Sequence, residues 1–354
     1  MKKIFVVITS ALLALVIWRA ITPNSSIQPK QSPNVLKEVE DIQEQKEPDV
    51  VALDKEQATS AINMSPFQLT STQKAAKAIA SNYRETLRFA PYSQPLSIHD
   101  IDRLEPNRFI PVTVPNSDLS GTIALVLNKY RFTYPEPIEL QLTGEGITQA
   151  KVLVSLVDDR KVLLERELRV EQGQAVTKLS AKDTFIGDIQ LKVTADVGGD
   201  PIAIVAQAKY VQPSAKLVGL KYIDVQGSDL IIALELDVED AGIYRVRANL
   251  FDGGKPLAHL VTKSKLANGK QKITLKAHQS VLPNLSNDLK LTTFIVERMS
   301  SVPGERTRYG ESLITEIPLH TVDLSDLKRE PYKPSDKERA SLQFLEGMAQ
   351  QTPL

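Results

Sequence analysis

The chain has 354 residues, with 43 Lys plus Arg against 43 Asp plus Glu, and no Cys. Balanced charge argues against nucleic acid as a partner, because phosphate binding draws on a basic excess. Without Cys there are no disulfides and no thiolate metal sites, so each domain must rest on its hydrophobic core.

Lys2 and Lys3 precede an uncharged, largely apolar run from Ile4 to Trp18, closed by Arg19. A basic start followed by such a run is the pattern of export. The small residues that a cleavage site wants are missing near Ala20, where bulky Trp18 holds the −3 position. Residues 1–21 therefore read either as a retained signal anchor or as a cleaved signal peptide. The anchor reading places the chain at the inner membrane as a single-pass protein with a periplasmic head. Ala20 and Ile21 lengthen the run if Arg19 snorkels, and Trp18 suits an interfacial position. Cleavage would instead leave a periplasmic or secreted protein.

Residues 22–66 read as a disordered stalk. Pro23, Pro29, Pro33, Pro48 and Pro66 recur among polar residues, and this composition offers too little apolar surface to offset ordering. A helix is expected from Ser71 or Thr72 to about Arg88, with a stripe of Ala75, Ala76, Ile79, Tyr83 and Leu87, ended by Pro91. One helical turn is expected within Ser97–Asp102 and a strand over Phe109–Val114. The whole segment 67–116 is expected to pack on the first of two β-domains.

From Gly121 the pattern turns to short alternating strands: Ile123, Leu125, Leu127; Ile138, Leu140, Leu142; Val152, Val154, Leu156; and onward to Ile202 and Ile204. Turn residues divide them, such as Asp158-Asp159, Gly173 and Gly198-Gly199. Pro213 marks a junction. A second series follows, with Leu230, Ile232, Leu234, Leu236 and then Tyr244, Val246, Ala248, Leu250. Gly253-Gly254 and Asn268-Gly269 both read as hairpin turns. The fold class is mainly β: two tandem immunoglobulin-like β-sandwiches, 117–212 and 213–320, with a tail (321–354) carrying a short helix capped by Ser335. That helix either docks on the second domain or binds a partner. The two series match in order, pairing Lys151–Leu156 with Tyr244–Leu250, Gly173 with Gly269, and Asp188 with Asp288, as in a tandem duplication. A fragment from Ser117 to His320 is expected to fold alone.

The stretch Asn128-Lys129-Tyr130-Arg131-Phe132-Thr133-Tyr134-Pro135-Glu136-Pro137-Ile138-Glu139-Leu140 resembles the opening strands of macroglobulin-type and related bacterial immunoglobulin-like domains. The layout also resembles uncharacterised gammaproteobacterial envelope or secreted proteins with such domains in tandem. The resemblance implies a fold rather than an activity. The thioester chemistry of some macroglobulins needs a Cys and is excluded.

No nucleophile elbow, phosphate loop, dinucleotide fingerprint or H-E-x-x-H occurs. His99, Asp100 and Asp102 form the densest group of acid–base residues, without a nucleophile motif. The four His, at 99, 259, 278 and 320, read as unrelated solvated or hydrogen-bonded imidazoles. Two acidic patches, Glu235/Asp237/Glu239/Asp240 and Asp196/Asp200, lack calcium-loop spacing and read as solvated turn charges. No catalytic, cofactor or metal site is expected. The functional expectation is a non-enzymatic, exported, membrane-anchored binding or scaffold protein of the cell envelope, with a protein or glycan partner. A structural subunit of an envelope or secretion assembly is one alternative. A hydrolase with its site near residues 91–115 is the other.

Overall fold

The computed structural model describes residues 71–116, 121–180, 182–282, 288–319 and 323–350. The expected anchor (1–21), the stalk (22–66) and His320 lie outside the described residues. Among the described residues no helix is long and apolar enough to cross a membrane.

The chain opens with helix α1 (Ser71–Thr86), strand β1 (Ser93–Pro95) and the short helix α2 (Ile101–Leu104). Nine strands follow: β2 (Val112–Pro115), β3 (Thr122–Leu127), β4 (Arg131–Thr133), β5 (Ile138–Thr143), β6 (Ile147–Leu156), β7 (Val162–Leu168), β8 (Gln174–Leu179), β9 (Gly187–Val197) and β10 (Asp200–Val211). They form two sheets, ordered β2-β3-β5-β8 and β4-β10-β9-β6-β7. The alternation seen in the sequence is the cause. Ile123, Leu125, Leu127, Ile138, Leu140 and Leu142 face Val152, Val154, Ile189, Leu191 and Val193 across the sandwich, all buried in one core. Their polar neighbours face water, as a half-covered antiparallel sheet requires.

After Pro213 come β11 (Ala215–Gln226), β12 (Asp229–Val238), β13 (Gly242–Asp252), β14 (Lys255–Leu266), β15 (Gly269–His278), β16 (Leu289–Arg298), β17 (Arg308–Tyr309), β18 (Glu311–Ser312) and β19 (Glu316–Pro318). One sheet runs β15-β12-β11-β18, the other β1-β14-β13-β16-β17, with β19 also pairing β16. In immunoglobulin lettering, β3, β5 and β8 take places A, B and E, and β9, β6 and β7 take F, C and C′. The second sandwich repeats this order with β11, β12, β15 and with β16, β13, β14, so the matched series in the sequence is a matched pairing topology.

Of the two expected hairpin turns, one holds and one changes. Gly253-Gly254 does join the paired strands β13 and β14. Asn268-Gly269 does not make a hairpin, because β14 and β15 belong to opposite sheets. Asn268 instead accepts the Ala241 amide at 2.7 Å through its side chain, and Gly269 takes φ +86° to carry the chain across. Its counterpart Gly173 has φ +74°, and a Cβ there would sit 2.5 Å from the Gly144 carbonyl oxygen. Gly144 and Gly173 lie in the two turns that cross between the sheets of the first sandwich, and these touch backbone to backbone, so only glycine fits at 173.

The N-terminal segment does not pack as a unit on the first sandwich. β1 pairs antiparallel with β14 of the second, Ser93 opposite Leu260 and Pro95 opposite Ala258. Backbone bonds from Leu96 to Leu257 and from Val261 to Tyr92 extend that pairing. Ala90, Ser93 and Leu96 are buried there. The last part of the segment joins the first sandwich, through Asn107, Phe109 and β2, which runs antiparallel to β3. The reason is the edge left by β14, whose open backbone groups need partners.

α1 also departs from its expected stripe. Ala76, Ala80 and Leu87 are buried, while Ile79 is 54% exposed. The helix packs against α3 (Asp336–Gln350) rather than a sheet, and small alanines let the two approach. α3 begins with a capping box: the Ser335 amide and hydroxyl both donate to Glu338 at 2.7 Å. Before it, the tail lies on the second sandwich through Leu324 and Leu327 and a bond from the Lys328 amide to the Gly227 carbonyl.

Candidate functional site

The segment 91–115 holds the acid–base residues that the sequence singles out. Asp100 turns its carboxylate back to accept the Ser97 amide at 2.7 Å, and the His99 amide donates to the Ser97 hydroxyl at 3.2 Å. His99 and Asp102 are exposed. These groups shape a turn, and the turn leads into α2.

Beneath α2 lies a buried pair that no spacing in the sequence announces. The fully buried Asn249 donates to the Arg103 carbonyl at 2.7 Å, and its side-chain oxygen lies 2.7 Å from Nδ1 of His259. Because the amide nitrogen is used as donor, Asn249 presents its oxygen to the ring and Nδ1 carries the hydrogen. Burial first, then the positive charges of Arg103 and Arg247, lower the His259 pKa from 6.5 to about 4, against a smaller opposing effect of Asp100. Between about 6.5 and about 4 the unfolded chain therefore binds a proton that the folded chain refuses. Stability from this group is full above the unfolded value and falls as the pH drops through that window. Thermal melts at stepped pH should show this slope, and a His259→Gln protein should show less of it. An equal slope in both proteins would assign the acid sensitivity elsewhere.

His278 is likewise buried and bonded, with Nδ1 2.9 Å from the Ser280 hydroxyl and its own amide donating to Ser93 at 3.1 Å. The acidic patches serve local structure. Asp240 pairs with Arg308 at 2.7 Å, Glu235 and Asp237 stand opposite Lys272 and Lys270, and Asp196 accepts the Gly199 amide at 3.1 Å. Among the described residues no group of three or more His, Asp or Glu side chains is placed to hold a metal ion.

The most elaborate polar assembly is the joint between the sandwiches. Arg131 on β4 stacks over Tyr309 on β17, its guanidinium carbon 4.1 Å from the ring centre. Burial lowers the Arg131 pKa, opposed by Tyr309 and Glu297. Glu297 is 3% exposed and accepts from Arg245 at 2.5 Å and Arg247 at 2.6 Å. Asn107 fastens the connecting segment by bonding both the amide and the carbonyl of Arg131. On the outside, Arg306 reaches from the second sandwich to Asp158 at 2.9 Å and Asp188 at 2.7 Å on the first, and Lys209 shares Asp188 at 2.6 Å. A crevice lined by Asp188, Tyr210, Val211, Arg306 and Tyr309 runs between the two.

Every carboxylate named at this joint meets a cation, which suits it to fixing orientation rather than moving protons. Glu297→Gln keeps the shape but strands two half-exposed guanidinium groups. After allowance for solvent it should cost about 1–3 kcal/mol in denaturant titration. A midpoint unchanged from the parent would show the cluster to be energetically idle. Sequence reasoning quoted Arg131 only within the resembling stretch and missed its role. In that stretch Glu136 pairs with Lys129 at 2.5 Å and accepts the Thr133 amide, while the buried Tyr210 hydroxyl donates to the Glu136 carbonyl at 2.7 Å.

No protein-family model matches the chain, and no curated protein matches it. Solved structures match in architecture. A DUF4785 family protein from Legionella pneumophila is 16% identical, with 50% of this chain aligned to 51% of that one at a TM-score of 0.36. Escherichia coli alpha-2-macroglobulin activated by porcine elastase is 14% identical over 55% of this chain and 22% of that one, at a TM-score of 0.22. A tetra-tandem repeat from the extending region of a large adhesion protein is 13% identical over 59% and 55%, at a TM-score of 0.25. The chain thus spans about half the length of the first and third and less of the second. At these identities the likeness is one of fold alone.

Proposed function

We propose that this is a non-enzymatic, exported binding or scaffold protein of the bacterial cell envelope, anchored by its N-terminal segment and presenting a paired-sandwich head to a protein or glycan partner. The observation that carries this reading is the joint. Two β-sandwiches are fixed to each other by a half-buried arginine–tyrosine stack and by the ion pairs of Arg306 with Asp158 and Asp188, leaving strand edges and loops as a display surface. The apolar run after Lys2 and Lys3 supports export and an inner-membrane location.

Gentle purification from membranes, with mass-spectrometric identification of co-purifying partners and of the mature N-terminus, tests the proposal. A defined partner that stays bound in EDTA and weakens only mildly with salt is expected. Recovery of the protein wholly soluble, starting after Ala20, would remove the anchor. Turnover of a substrate by the purified head, lost in His99→Ala and Asp100→Ala proteins, would place it among hydrolases instead.

A further inference from the structure

The second sandwich shows how this fold receives an added strand. Its C′ strand, β14, would be a sheet edge, and β1 arrives from outside the sandwich to pair with it. The same segment reaches the facing sheet, where the Ser93 hydroxyl accepts the His278 amide of β15. The seam between the two sheets is thereby closed by β1 and the residues that flank it.

The first sandwich has the same seam between β7 and β8. β7 pairs with β6 on one side, and among the described residues nothing pairs with its other side. Val162, at the start of β7, is 54% exposed. Of the other open edges among the described residues, β15 is guarded by Lys270, Lys272 and Lys276, the usual way to discourage pairing, and β8 carries Lys178. β7 carries no lysine within its span.

Charge selects the occupant. Leu164, Arg166 and Leu168 share the inward face of β7, opposite Val154, Val152 and Ala150 of β6. Glu165 on the other face pairs with Lys151 at 3.3 Å. Among the described residues Arg166 reaches across the seam to the Lys178 carbonyl, at 3.1 Å, and pairs with no carboxylate. A strand laid along β7 would offer its own inward residues to this row.

We propose that β7 is a strand-accepting site for an extended segment of a partner protein whose inward face reads apolar, acidic, apolar. The acidic residue meets Arg166, the flanking apolar residues cover Leu164 and Leu168, and backbone bonds to the open edge supply most of the affinity. This rests on the binding-protein reading above and names its surface.

The test uses the full chain and two peptides, Thr-Val-Lys-Glu-Lys-Val-Thr and its counterpart with Lys in place of the central Glu. Amide shifts on adding the first peptide should concentrate on β6 and β7. Its affinity should exceed that of the second by about fivefold, the scale of one cross-strand charge pair. Arg166→Glu should reverse the preference, and the residue's exposure means that variant should fold. Shifts centred on β15 or on the joint, or equal binding of both peptides in both proteins, overturn the proposal. If the partner recovered from membranes is retained unchanged by the Arg166→Glu protein, the strand site falls while the binding-protein reading stands.

Discussion

A Leu250→Asp protein is expected to lose its second sandwich. Leu250 is fully buried at the centre of that core, beside Leu234, Val246 and Leu291. A carboxylate there has no cation within its apolar surroundings. It must either give up its hydration or take up a proton, and either way the cost is several kcal/mol beyond the lost apolar burial. A domain is stable by only about 5–15 kcal/mol in total, so the substitution removes most or all of the margin. Limited proteolysis should then degrade the chain after Pro213 and leave a resistant first sandwich. A melting curve within a few degrees of the parent would show that this core tolerates charge, and the inward assignment of β13 would be wrong.

The second large effect is expected from truncation. A chain starting at residue 105 lacks α1, β1 and α2 but keeps every strand of the first sandwich. The second sandwich should suffer nonetheless. It loses Phe89 from the rim of its core, the buried Leu96 bonded to Leu257, the pairing partner of β14, and the acceptor for Asn249. Burial of these two large apolar side chains is worth about 1.5–3 kcal/mol each, and each lost hydrogen bond about 1 kcal/mol. The sum is on the order of 5 kcal/mol or more. At about 4–8 °C per kcal/mol for a domain of this size, its melting point should fall by more than about 20 °C. The transition of the first sandwich should stay in place. A fragment from Ser117 to His320 loses these contacts and also the short edge strand β2, so its second half should suffer more than its first, although alternation alone predicts that it folds throughout. Equal melting of both halves would mean that the N-terminal segment rests on β14 without supporting it.

What could be read from the residues followed from period and punctuation. The alternation of Ile123, Leu125 and Leu127, or of Tyr244, Val246, Ala248 and Leu250, dictates a strand and its inward face, and the structure buries these positions. Ser335 and Glu338 declare a helix start by their spacing alone. The failures are of another kind. Nothing near Ser93 says that its partner is Leu260, because pairing at long range depends on which edge remains open after both sheets have formed. Asn268-Gly269 has the residues of a tight turn, and those residues serve a crossing between sheets just as well. Arg131, Tyr309 and Arg306 look like ordinary surface residues until the second domain is set against the first. The Asn249–His259 pair escaped for the same reason: its cover, α2, comes from far upstream.

The pairing of β1 with β14 also sets an order of events for a chain made from its N-terminus. Of the described residues, 71–96 emerge first, but the edge that receives them is not complete until β14 has appeared. The first sandwich, whose strands all lie between these two points, can close on its own core in the meantime. Joining β1 to β14 then shuts a loop that contains that whole domain, and the entropy of such a closure grows only slowly with its length. α1 waits longer still, since its partner α3 is the last described element. The earliest segment of the head is thus among the last to be locked. Until that moment β14 stands as a bare edge in the compartment where the chain is folding, and the interval between its arrival and the return of residues 90–96 is when mispairing with a second chain competes most strongly.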